Sequence, residues 1–151
     1  MHVHIVGAAG SGTTTLGRAL LGTELKRPSG WVLSGSLCGW GNVFIPRFDL
    51  VVFLGVPLEV RIARLRARER IRYGDAVEPG GPLHERYERF IAWAAGYDEG
   101  LDVPERCRRL HEAWLAALPC PVLRMEGTAS VDEQLDRIGY HPRREPTGGP
   151  S

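Results

Sequence analysis

Lysine is almost missing from this chain. Lys26 is the only one, and arginine supplies the rest of the 19 basic residues. Any fixed cation needed away from Lys26 must therefore be a guanidinium. Net charge is also lacking, since 19 basic residues against 18 acidic ones leave +1. That balance excludes a global field able to draw the protein onto nucleic acid or an anionic membrane, so an anion site has to be local. Cysteine is sparse: Cys38, Cys107 and Cys120 are odd in number and widely spaced, with no CxxC pair and no histidine at ligand spacing. This excludes a disulfide framework and a zinc site, and reads as reduced thiols in a cytoplasmic protein. Long apolar runs are absent, and MHVHIVGAAG carries no basic stretch ahead of its apolar residues. Neither secretion nor membrane insertion is expected.

What is present is ordinary globular composition. The chain has 151 residues, 43% hydrophobic and 25% charged, enough for one sizeable core. A single domain over 1–140 is expected, with a disordered tail over 141–151, where the sequence turns polar and rich in Pro and Gly. Val3 to Val6 reads as a strand ending at Gly7, followed from Thr13 to about Lys26 by a helix-like spacing of Leu16, Leu20 and Leu21. Further strands are expected at Trp31–Ser34, Leu50–Val56 and Val122–Met125. The Leu50 run is continuous enough to be buried on both faces. Helices are expected at Leu58–Arg72, Leu83–Ala95, Pro104–Leu118 and Val131–Ile138. Between the first two of these, Gly74–Pro82 has no core pattern. Strands alternating with helices predict an α/β fold around a parallel sheet of about four strands, with ligands at its carboxyl ends.

Gly7-Ala8-Ala9-Gly10-Ser11-Gly12-Thr13-Thr14 occupies the frame of the Walker A loop, G-x-x-x-x-G-K-[ST], with Thr13 where lysine is expected. The strand before it and the helix after it are the context in which successive amides form a phosphate nest, reinforced by the helix N-terminus. Thr14 would place its hydroxyl on Mg²⁺. A plain glycine turn capped by threonines would explain part of this, but three glycines in register exceed what a cap requires. Lys26 lies roughly 18 Å along the helix and cannot replace the missing ammonium. Either an arginine does that work or nothing does.

These residues resemble the adenylate kinase-like P-loop kinases, in particular a bacterial branch whose loop reads glycine-serine-glycine-threonine-threonine, as Gly10 to Thr14 do. The resemblance covers Val3–Leu21 and Trp31 to about Asp136. It implies a P-loop NTPase three-layer sandwich with ATP and Mg²⁺ as cofactors, the loop residues Gly7 to Thr14 as the nucleotide site, and Thr14 as metal ligand. Trp31-Val32-Leu33-Ser34-Gly35-Ser36 resembles the family strand that ends in leucine-aspartate-glycine, with Ser34 at the aspartate position, which weakens the Mg²⁺-water shell.

From spacing alone, Arg61, Arg64 and Arg68 share a helix face that is either a solvated arginine stripe or an anion site. The resemblance implies that Arg64 lies against the adenine and Arg68 reaches the phosphates, as catalytic residues. It also implies that 73–83 is a reduced lid, and that Met125-Glu126-Gly127-Thr128 holds the adenine edge, with Gly127 in the site. Arg86 and Arg89 are either further phosphate contacts or surface arginines.

His2 and His4 read as strand-end packing, and no role attaches to His84 or His111. Trp31, Trp40, Trp93 and Trp114 read as core or interface residues.

Only Gly22 to Gly30 separates the first helix from the next strand, where the family has a strand and a helical segment that bind the phosphate acceptor. The sheet can survive that loss, but an uncovered edge remains that would suit a homodimer. Two functions stay open: a nucleotide or small-molecule kinase with weakened activity, and a nucleotide-binding remnant or regulator without chemistry.

Overall fold

The structure, a computed structural model, describes residues 1–23, 30–100 and 106–139. Lys26, Pro104 and the expected tail lie outside them. Four strands form one sheet: β1 (His2–Gly7), β2 (Trp31–Ser34), β3 (Leu50–Gly55) and β4 (Val122–Glu126). Their order is β2-β1-β3-β4 and every pairing is parallel. The helices are α1 (Thr13–Thr23), α2 (Leu58–Tyr73), α3 (His84–Ala95), α4 (Arg108–Ala116) and α5 (Val131–Gly139). These bounds match the sequence expectations closely, and the α/β fold with a small parallel sheet is as expected.

Period-two alternation sorts the strand side chains onto two faces. Val3, Ile5, Leu50, Val52 and Leu54 share one apolar layer with Leu16 and Leu20 of α1 and Ile138 of α5. Val6, Val51 and Phe53 point the other way, into a layer closed by Phe48 and by Leu115 of α4. Helices therefore cover both faces, and β3 is apolar throughout because it touches both layers. β2 and β4 are the edge strands among the described residues. Two local signals fix helix starts. Pro57 precedes α2 and its carbonyl receives the Arg61 amide at 3.0 Å. At α5, the Ser130 hydroxyl receives the Glu133 amide at 3.2 Å, while the Glu133 carboxylate receives the Ser130 amide at 2.8 Å, a reciprocal cap.

Two expectations need correction. The segment 73–83 is not without a core: Gly74–Val77 forms a short 3-10 helix. Its Val77 is buried in a third apolar cluster with Leu65, Tyr87, Ile91 and Ala94, while His84 Nδ1 sits 2.9 Å from the Val77 carbonyl. His4, expected at a strand end, is fully buried in the second layer. Its Nδ1 donates to the Leu33 carbonyl at 3.0 Å, and its ring stacks on Phe48 at 5.1 Å.

Burial is the main reason the His4 pKa falls to about 4; the Leu33 bond opposes the shift and His111 adds to it. The folded pKa thus lies below the ordinary 6.5 of an unfolded chain. The neutral ring's contribution to stability is complete above pH 6.5 and is lost as pH falls toward 4. Denaturant unfolding should show a loss of about 2 kcal/mol between pH 7 and pH 5. His4→Phe should remove most of that slope, and an unchanged slope would contradict this origin for it.

Candidate functional site

The carboxyl ends of β1 and β2 open into a cavity of about 760 Å³. One wall is the loop that leads into α1, contributing Gly7, Ala8, Ala9, Gly10, Gly12, Thr13 and Thr14. Gly10 (φ +83°) and Gly12 (φ +90°) take left-handed conformations that side chains disfavour. A Cβ on Gly10 would also lie 2.8 Å from the Arg61 carbonyl, whereas one on Gly12 would meet only open space. Inside the loop the Ser11 amide donates to the Ala8 carbonyl at 3.1 Å, and the first i to i−4 bond of α1 is made by Leu16. The amides of Thr13 and Thr14 precede that bond and belong to the unpaired first turn of a helix, beside the cavity. Ser11, one of the expected loop contacts, is instead buried beneath the loop, and its Oγ has no hydrogen-bond partner among the described residues.

The opposite wall is cationic. Arg64, Arg68 and Arg72 of α2 line the cavity with Arg18 of α1 and Arg106, and no carboxylate of the described residues lines it. Arg64 donates to the Gly127 carbonyl at 3.0 Å. Arg68 is 56% exposed and rests on the neighbouring Glu69 carboxylate at 2.7 Å, a surface pair worth about 1 kcal/mol or less. The described residues offer no ion partner to Arg18 or Arg106. A chain of net charge +1 thus concentrates five guanidinium groups around one cavity.

Arg61 does not join them. Its side chain is buried, pairs with Asp98, and donates to the carbonyls of Val56 and Ala94, each at 3.2 Å. Its guanidinium also lies 5.2 Å from the Tyr97 ring centroid. The helical stripe predicted from spacing is real, but its first member enters the protein where α2 begins against the sheet. Gly127 is likewise not in the cavity wall. A Cβ there would come within 2.7 Å of the Ser11 carbonyl, its amide donates to Gly55 at 2.9 Å, and its carbonyl is held by Arg64. Arg86 lines a smaller adjoining cavity with Arg68 and Arg72. Arg89 is exposed on α3.

Several lining residues have no signal in the sequence reading. Arg18 follows Thr14 by four and could have been found from that spacing. Ser36 and His111 could not: they lie 75 positions apart, yet Ser36 Oγ and His111 Nε2 are 3.0 Å from each other. His111 Nδ1 is 2.8 Å from the Tyr97 hydroxyl. Burial first, and then Arg106, hold the His111 pKa below its ordinary value, with Glu112 opposing. No group of three or more potential metal ligands occurs among the described residues. No described helix is long and apolar enough to cross a membrane.

No protein-family model matches the chain. It is 40% identical to the uncharacterized protein YqaC of Bacillus subtilis (strain 168) over 170 aligned positions, which cover 91% of this chain and 94% of YqaC. Since 91% of 151 residues is roughly 137, about 33 of those 170 positions are filled in YqaC alone. Among solved structures, a deoxyadenosine kinase from M. mycoides, with the products dCMP and a flexible dCDP bound, superposes with a TM-score of 0.50 at 12% identity. The match covers 92% of this chain and 96% of that one. At that identity the likeness is one of fold, and the fold is P-loop kinase-like.

The two kinds of arginine should separate by mutation. Arg61→Ala strips a buried guanidinium from two carbonyls and Asp98 and should lower unfolding stability by about 3 kcal/mol. Arg64→Ala and Arg68→Ala, on exposed side chains, should each stay within about 1 kcal/mol of wild type. Equal losses in all three would contradict the division.

Proposed function

We propose that this protein, which belongs to the YqaC family, binds a nucleoside triphosphate, with ATP the expected ligand, through the loop Gly7 to Thr14 in the manner of the adenylate kinase-like branch of P-loop proteins. The observation that carries the reading is the pairing of a strand-loop-helix amide nest with five arginines, and no carboxylate, among the described residues that line one cavity. Backbone amides and a helix N-terminus favour phosphate oxygens, and guanidinium groups supply the charge that Thr13 does not. Arg68 gives up only a weak surface pair with Glu69 to reach a phosphate, an exchange favoured because charge-assisted bonds are worth about 1.5 to 3 kcal/mol. Thr14 offers its hydroxyl to Mg²⁺. Ser34, at the exposed end of β2, offers no carboxylate to the ion's water shell.

Phosphoryl transfer is the second reading. In its favour, the cavity does not stop at the loop and α2 but continues to Ser36, His111 and Arg106, where an acceptor could lie. Against it stands the short connection from α1, which ends at Thr23, to β2, which begins at Trp31. Positioning of the acceptor accounts for about 7 to 11 kcal/mol of the barrier in well-oriented reactions. Its loss outweighs the loss of one charge. Binding with at most slow hydrolysis is therefore the function assigned to this chain.

Calorimetric titration with Mg-ATP tests the reading. Gly12→Val forces a β-branched residue into a left-handed conformation and should abolish binding, while Thr13→Ala should change affinity by less than about tenfold, roughly 1.4 kcal/mol. Arg68→Ala should weaken ATP far more than adenosine. Wild-type affinity in Gly12→Val would remove the loop from the site.

A coupled ADP-release assay should show little or no turnover with nucleoside monophosphates. Acceptor-dependent turnover above about 1 per second, lost in Gly12→Val, would replace the binding reading with the kinase one.

A further inference from the structure

The hydrogen-bond chain of Ser36, His111 and Tyr97 can be read proton by proton. Tyr97 is buried, and burial followed by the neighbouring Asp98 holds its phenol well above the ordinary range, so it remains protonated. Among the described residues its hydroxyl has one hydrogen-bond partner, His111 Nδ1 at 2.8 Å. We infer that the phenolic proton goes to Nδ1, which makes that nitrogen the acceptor of a neutral ring. The ring's single proton then sits on Nε2 and is donated to Ser36 Oγ at 3.0 Å. Ser36 Oγ, already accepting, keeps its own proton free to donate elsewhere.

The described groups facing His111 fit a neutral ring: burial and Arg106 oppose a second proton on it, the buried His4 is itself held neutral, and Glu112 acts the other way. Among the described residues the Ser36 hydroxyl also meets the Cys38 thiol, a weak acceptor. Ser36 itself lines the arginine-rich cavity with the loop. The same proton count argues against His111 as a base for Ser36, because the nitrogen that faces the hydroxyl already carries hydrogen.

We propose that the Ser36 hydroxyl is a directed hydrogen-bond donor to a phosphate oxygen in the cavity, and that Tyr97, whose ring also lines the cavity, is a positioning residue whose hydroxyl fixes this direction through the His111 tautomer. The proposal rests on the phosphate-binding reading above. Its distinctive consequence is that the Tyr97 hydroxyl and Ser36 act through one bond. Without the phenolic proton, as in Tyr97→Phe, Nδ1 has no donor and the ring is free to carry its proton there. Ser36 then turns its hydroxyl onto Nε2, and the cavity loses a donor.

Two measurements test it. In the ligand-free chain, nitrogen-15 NMR of the His111 ring should show protonated Nε2 and bare Nδ1 at neutral pH, and Tyr97→Phe should shift the ring toward the opposite tautomer. A bare Nε2 in wild type would overturn the proposal. Titrations with Mg-ATP and, separately, with AMP then identify which nucleotide carries the phosphate.

For that nucleotide Ser36→Ala and Tyr97→Phe should each weaken binding about tenfold. The double variant should be no weaker than either single one, because both remove the same bond. Cys38→Ala should bind as wild type. Wild-type affinity of Tyr97→Phe for both nucleotides, or additive losses in the double variant, would overturn the proposal. Expected tautomers with no binding of either nucleotide by the wild-type chain would overturn the phosphate reading instead, and Ser36's role with it.

Discussion

The buried guanidinium of Arg61 is the contact on which the geometry of the cavity depends. A cation enclosed in protein is tolerated only when its donors are matched, and here they reach the end of β3 through Val56, the end of α3 through Ala94, and Asp98. One side chain thus ties α2 and α3 to the carboxyl edge of the sheet. Its own carbonyl lies so close to Gly10 that a side chain there could not fit, so the first turn of α2 also supports the loop from below. Arg64 and Arg68, one and two turns further along, emerge beside the loop because Arg61 has fixed the angle at which α2 leaves the sheet.

With that frame set, the cavity has an unbalanced charge. Among the described residues five guanidinium groups surround it and no carboxylate does. Two unit charges 4 Å apart in partly solvated surroundings repel by about 4 kcal/mol, and exposure of side chains such as Arg68 reduces that figure. An anion relieves repulsion as well as gaining contacts. This is how a loop with Thr13 in place of lysine can still be a phosphate site: the charge has moved from the loop to the helices around it.

How much of this is legible in the sequence depends on how far apart the cooperating residues lie. The loop, its flanking strand and helix, and the apolar β3 are local patterns, and they appear where the spacing places them. Arg61 shows where periodicity falls short. It shares a helical stripe with Arg64 and Arg68, but azimuth alone does not tell how deep a position sits: Arg61 is buried, while Arg64 and Arg68 are exposed. Gly127 shows a second limit: its glycine is required because the turn presses on Ser11, a packing reason that a motif match cannot distinguish from ligand contact. Ser36, His111 and Tyr97 are brought together by tertiary structure alone, and nothing in their local sequence signals the cluster.

The central claim is that phosphate is held by the loop amides with arginine in place of lysine. The most direct measurement is the change in backbone amide chemical shifts on titration with Mg-ATP. The account predicts that Gly10, Gly12, Thr13 and Thr14 move most, with the side-chain Nε–H of Arg68 following. Perturbations confined to the separate cavity lined by Pro57, Leu58 and Thr128 beyond β3 and β4, with the loop amides silent, would contradict it.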